Sequence, residues 1–240
     1  MMDDRGMIVG RSFWIGSDLE RSGDWIHRLD DTQQAEIAAA LANVKGRPLY
    51  GFTRDDFPLY STAKLLARVS EELEDGYGYA RIRGLAVERY SEADLRRIFW
   101  GLFWGLGLHV GTAVYQNRDG EIMTEVLDRT RDPRYQAVPR PGKIVSSRAK
   151  SLSNGELRFH TDGADVISLL CVRPAQRGGE TKLASVATIY NDMRLRRPDL
   201  LDHLFHDYIR VWPSRAVRIW RYPVRQQSRR LSFADGVRRR

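Results

Sequence analysis

Cysteine is almost absent from this chain of 240 residues: Cys171 is the only one. That excludes a disulfide framework and a four-cysteine zinc site, and it suits a reducing cytoplasm. Long hydrophobic runs are missing too. The longest, Ile98 to Leu108 (IFWGLFWGLGL), has 11 residues, against the roughly 20 that a helix needs to span a bilayer. The opening MMDDRGMIVG is charged and has no apolar stretch of signal-peptide type. A cytoplasmic protein with no membrane partner is expected. With Gly at 20 and Pro at 9, collagen-like and low-complexity chains are excluded as well. What remains is an ordinary globular mixture, 42% hydrophobic and 29% charged. It is long enough to bury a core as one large domain or two small ones.

The net charge of +8 points at first to nucleic acid or an anionic surface. Its distribution removes that inference for most of the chain. Residues 211–240 hold nine of the 39 lysines and arginines, all arginine, and one of the 31 acids, Asp235, so residues 1–210 carry 30 of each sign. The body is neutral and nucleic acid is not expected as its partner. A binding module acting on nucleic acid or an anionic surface through the basic tail is the alternative, with Trp212, Trp220 and Tyr222 interleaved among the arginines.

The N-terminal half carries helical signals. Asp31-Thr32 can cap a helix through QQAEIAAALANV that stops at Gly46 and Pro48. Leu65, Leu66, Val69 and Leu73 have the spacing of a second helix, from Pro58 to Gly76, and GYARIRGL (78–85) alternates like a strand. Ser91-Glu92-Ala93-Asp94 is a capping-box pattern opening a helix to about Gly107. Gly101 and Gly105 within it suit a buried core helix packed tightly on a sheet, and His109 is expected at a strand edge. Further on, HVGTAVYQ, GEIMTEVLD, DVISLLCVRP and GETKLAS predict short strands, residues 128–155 a long polar loop, and 184–208 a helix pair broken at Pro198.

The segment Arg158-Phe159-His160-Thr161-Asp162-Gly163 carries the chemistry. In an extended strand, positions i and i+2 share a face, so His160 and Asp162 present an imidazole and a carboxylate side by side. These are two of the three donors of a facial triad that holds Fe(II) with open positions. A hydrogen-bonded His–Asp pair at a strand end is the plainer reading of the same spacing.

More than the pair is present. FHTDG, an apolar strand ending in Val172-Arg173-Pro174, then Gly178-Gly179-Glu180-Thr181, and a helix from about Ser185 with Tyr190-Asn191 follow one another. Together with DGYGYARIRGL and YSEADLRRIFWGLG upstream, this order resembles the taurine dioxygenase-like family of Fe(II)- and 2-oxoglutarate-dependent oxygenases over roughly residues 10–210. The resemblance implies an α+β fold: a double-stranded β-helix (jelly-roll) core with flanking N-terminal helices. It implies His160 and Asp162 as iron ligands, Thr181 as a hydrogen-bond partner of a 2-oxoglutarate carboxylate, and Asn154 as a polar residue facing a small-molecule substrate. Fe(II) would be the cofactor and 2-oxoglutarate and O₂ the co-substrates of a hydroxylation.

The family also carries a second iron histidine on a late strand and, further on, an arginine for 2-oxoglutarate. After Thr181 this chain offers only His203 and His206, three apart in LLDHLFHDY, which we expect to be surface or packing histidines. Residues 211–240 have no clear period of 2.0 or 3.6, and arginine without lysine is what GC-rich DNA gives out of frame. The sequence therefore predicts a single oxygenase-like domain over 1–210, with a helical flank over about 1–107 and a β core from about 108. It predicts an atypical Arg-rich tail over 211–240, a fold missing its last strands and an enzyme inactive through that loss.

Overall fold

The capping signals of the N-terminal half become three long helices in the computed structural model, which describes residues 6–110, 113, 115–116, 120–129, 156–162, 164–206 and short strands between 210 and 233. Contacts divide the chain into two units, Met1–Thr112 with Gly163–Arg240, and Ala113–Asp162.

In the larger unit, α1 (Gly16–Ser22) leads into β1 (Ile26–Arg28), followed by α2 (Asp31–Val44) and α3 (Ser61–Asp75). Then β2 (Arg81–Arg83) lies parallel to β1, with Ile26 opposite Arg81 and Arg28 opposite Arg83. The crossover between the two strands contains α2 and α3, as a parallel pair requires. The predicted strand at GYARIRGL is thus present but three residues long, and β1 had no readable period at that length.

The cap of α2 is Asp30, one residue before the predicted Asp31-Thr32. Its carboxylate accepts from Gln33 N at 2.8 Å, and Gln33 Oε1 accepts from Asp30 N at 3.1 Å, which closes a capping box. The N-terminus of α3 has no side-chain cap of its own. Glu36 of α2 supplies one, accepting from the backbone N–H of Tyr60, Ser61 and Thr62 and from Thr62 Oγ1. One carboxylate thereby satisfies three of the orphan donors at that helix end and locks α2 to α3.

α4 (Glu92–Val110) opens at Ser91, whose Oγ accepts from Asp94 N at 3.1 Å. It touches both α2 and α3. Ile37, Val44, Leu65, Leu66, Val69, Leu95, Ile98 and Trp100 are buried between these helices, with Phe52 and Phe57 from the connection. Gly101 is required there, since a Cβ would come within 2.6 Å of the Phe57 ring. The buried core helix is therefore observed, but it packs on α2, α3 and the Phe57 ring where a sheet was expected. No helix of the described residues is long and apolar enough to cross a membrane. His109, expected at a strand edge, lies in α4 instead, because the leucines around it sustain the helix and each glycine costs only about 1 kcal/mol.

The predicted strands within 113–129 and 164–184 do not form among the described residues. Exposure nevertheless alternates along Ala164–Val172: Val166, Ser168 and Leu170 are half-buried, while Asp165, Ile167, Leu169 and Cys171 are exposed. This is the two-residue period of an extended segment, without a ladder beside it. The chain continues as α5 (Val186–Arg196) and α6 (Pro198–Leu201), broken at Pro198 as expected, and a 3₁₀ turn over Asp202–Phe205.

The tail, which shows no clear period in sequence, carries short strands. β3 (Arg210–Val211) pairs antiparallel with β4 (Val217–Arg218), and β5 (Val224–Gln227) with β6 (Arg230–Phe233). Elements of two to four residues are too short to reveal a period. The described residues thus give helices and three two-stranded sheets, the α+β class.

An N-terminal segment binds α5 through side chains. Asn191 Oδ1 accepts from Ile8 N at 2.9 Å and its Nδ2 donates to Ile8 O at 2.8 Å. Thr188 Oγ1 accepts from Trp14 N at 3.1 Å and donates to Trp14 O at 2.7 Å. Ser185 Oγ donates to Ser12 O at 2.6 Å and accepts from Thr188 N, capping the helix. Residues 185, 188 and 191 recur every three positions, so one helix face does what a strand edge would do.

Candidate metal centre

His160 and Asp162 are brought together. His160 Nε2 lies 3.9 Å from Asp162 Oδ1, within the unit Ala113–Asp162, and both side chains are about half exposed. Spacing alone suggested this adjacency; a further contact makes it chemically specific. His160 Nδ1 is 2.7 Å from the backbone carbonyl of Arg158. A carbonyl only accepts, so Nδ1 carries a hydrogen, and the tautomer with that hydrogen alone leaves Nε2 as an electron-pair donor. Nε2 and the carboxylate oxygen are then two donors 3.9 Å apart, too far for a hydrogen bond. A divalent cation suits that arrangement, and metal-bound histidines characteristically donate their other ring N–H to a carbonyl or carboxylate. A protonated Nε2 serves the plainer ion-pair reading, in which the separation leaves the pair weak.

In the same unit, Gln116 N donates to Glu121 O at 2.6 Å, and Gly120 adopts φ +78, a left-handed conformation that glycine enters without strain. Arg129 pairs with Glu125 at 3.1 Å. Asn154 lies outside the described residues.

Thr181 belongs to the larger unit and is exposed, within a run from Arg173 to Ala184 that is exposed throughout. Gly178 and Gly179 before it both adopt positive φ. His203 and His206 are exposed, as expected, with ring centroids 5.4 Å apart edge to face. Among the described residues, no three His, Cys, Asp or Glu side chains gather to hold a metal, so His160 and Asp162 stand as a pair.

A charged cavity of about 460 Å³ in the larger unit was not foreseen; Arg11, His27, Arg68, Glu71, Glu72 and Asp75 line it. Helical spacing places residues 68, 71, 72 and 75 of α3 on one face, the only sequence signal for it. Glu72 is already engaged, by Arg11 at 3.0 Å and by Tyr77 N at 2.6 Å. Burial pushes the His27 imidazole below its usual range, opposed by Glu72 and helped by Arg68, and its Nε2 is buried without a hydrogen-bond partner. Its lining residues, with the Arg11–Glu72 pair and the half-buried His27 ring among them, give the cavity a mixed charge.

Residues 43–232 match the family described as taurine catabolism dioxygenase TauD, TfdA, a match that runs past position 210. Among curated proteins, the chain is 33% identical over 208 residues to an FR-33289 synthase of Streptomyces rubellomurinus, covering 84% of this chain and 57% of that protein. It is 29% identical over 212 residues to the taurine hydroxylase-like protein SAT17 of Stachybotrys chartarum, covering 87% and 52%. A uridine-5'-phosphate dioxygenase of a Streptomyces species is 31% identical over 147 residues, covering 58% and 48%. The chain spans about half the length of these relatives.

Proposed function

The chain belongs to the TauD/TfdA family of dioxygenases, and from that membership we propose that it is an Fe(II)- and 2-oxoglutarate-dependent oxygenase acting on a small organic substrate. The observation that carries this reading is the His160–Asp162 pair, Nε2 and Oδ1 3.9 Å apart, with Nδ1 on the Arg158 carbonyl. His160 and Asp162 would hold Fe(II), which when bound supplies O₂ activation coupled to decarboxylation of the 2-oxo acid. Thr181 hydrogen-bonds a carboxylate of 2-oxoglutarate, and Asn154 meets the substrate. Each role is assigned by place in the motif.

The chain's own residues do the rest of the work. The Arg158 carbonyl fixes the histidine tautomer, and Asp162 would neutralise one charge of a bound cation. Phe159, 69% exposed and next to His160, is an apolar wall for excluding water once a substrate is seated. We place the protein in the cytoplasm. Metal binding at His160 and Asp162 is the part of this reading that the described geometry supports most directly.

The deciding experiment titrates the purified chain with Fe(II) under nitrogen, and with Co(II) as a redox-inert stand-in, then follows succinate formation from 2-oxoglutarate in air. Binding that disappears in His160→Ala and Asp162→Ala supports the reading, with or without turnover. Equal binding by parent and both variants overturns it.

A further inference from the structure

The loop carrying Thr181 is exposed along its length, all 12 residues from Arg173 to Ala184. Both of its ends are anchored. At the start, Arg173 Nη2 donates to Glu92 Oε1 at 2.6 Å, at the opening of α4. At the finish stands Ser185, buried, with its hydroxyl on the carbonyl of Ser12. Thr181 is four residues from that anchor, within about 14 Å of it even fully extended. The Ser12 carbonyl in turn sits between two further tethers to α5, Ile8 on Asn191 and Trp14 on Thr188. Exposed surface pairs such as Arg173–Glu92 are weak anchors, whereas the hydrogen bonds to buried Ser185 and Asn191 are costly to leave unmade.

We propose that residues 8–14 form a strap that positions the Thr181 loop, with Ser185, Thr188 and Asn191 as its clasp, so that 2-oxoglutarate affinity depends on a segment more than 160 residues away in sequence. This rests on the role given to Thr181 above. The clasp residues act through the loop and are positioning residues. Loosening them frees the start of α5, and the loop end with it.

The test uses the whole chain and three variants, Thr188→Val, Thr188→Ser and Thr181→Ala. Valine keeps the shape of threonine and removes both bonds to Trp14, while serine keeps the hydroxyl. Hydrogen–deuterium exchange is read over 178–192 without ligand, and 2-oxoglutarate affinity is read by calorimetry with Co(II) present. Thr188→Val should speed exchange over 178–185 and weaken 2-oxoglutarate roughly five-fold, the worth of about one net hydrogen bond. Co(II) affinity should stay unchanged, and Thr188→Ser should restore both readouts. Parent-like exchange over 178–185 in Thr188→Val overturns the strap, as does unchanged 2-oxoglutarate affinity in a variant series where Thr181→Ala weakens it. Unchanged affinity in Thr181→Ala overturns the role of Thr181 itself, and exchange then judges the strap alone.

Discussion

In the helical layer of the larger unit, the side chains marked by helical spacing go where that spacing sends them. Leu65, Leu66 and Val69 of α3 are buried, and Leu73 is half-buried. In the later segment Ala164–Leu183, side chains of the same kind stand in solvent: Leu169 is 73% exposed and Ile167 52%. A helix closes its hydrogen bonds within itself and needs one apolar stripe to find a neighbour. A strand closes none until another strand lies beside it. The helical layer is thus complete from local rules, while the segment that follows the metal pair has the alternation of a strand and no sheet among the described residues.

That contrast can be broken or sharpened by substitution. The largest effect belongs to the metal pair: Asp162→Ala should reduce Fe(II) affinity by more than the roughly 10–100-fold typical of an outer-shell change, as measured by anaerobic titration. Next, Leu66→Ala should cost about 2–5 kcal/mol in urea unfolding, the usual range for a truncated core leucine. A smaller loss, about 1–3 kcal/mol, is expected for Gly101→Ala, where the new methyl meets the Phe57 ring; Phe57→Leu in the same chain should recover part of it. If Gly101→Ala stabilises instead, the helix gain outweighs the clash and the packing around Phe57 is looser than its geometry.

Glu36→Gln should cost about 1–2 kcal/mol, since an amide oxygen replaces a charge-assisted acceptor at the start of α3. Burial alone would raise the Glu36 carboxyl, but its hydrogen bonds to Thr62, Ser61 and Tyr60 hold it below the usual glutamate range. A depressed carboxyl stabilises the fold above its unfolded pKa, and that contribution is lost as pH falls through the folded value. The stability gap between parent and Glu36→Gln should therefore close in acid, below the ordinary glutamate range. The smallest effect is Leu169→Ala, within about 0.5 kcal/mol. A loss as large as that of Leu66→Ala would show that Leu169 is buried in solution and the contrast false.

Much of the helical half was legible because its signals are local. The spacing of Leu65, Leu66 and Val69 placed α3, Ser91 marked the opening of α4, and Pro198 marked the break after α5. Misses came where a neighbour in space overrode the local pattern. The cap at Glu36 is invisible in sequence, since nothing around residue 36 announces an acceptor for residues 60–62. The strand Ile26–Arg28 exists because Arg81–Arg83 lies beside it, and the tail strands are too short to carry a period. For the site, the HxD spacing made the neighbourhood of His160 and Asp162 readable. The tautomer set by the Arg158 carbonyl was not, because a backbone oxygen has no letter in the sequence.

The strap has a consequence for the timing of synthesis. Ile8 leaves the ribosome 183 residues ahead of its partner Asn191. At roughly 5–20 residues per second, residues 8–14 wait on the order of 10–40 s for their binding face, long after α2, α3 and α4 have had the chance to pack. The strap is among the last of the described segments to take its place. Until then its buried aromatic, Trp14, is exposed to whatever captures nascent chains.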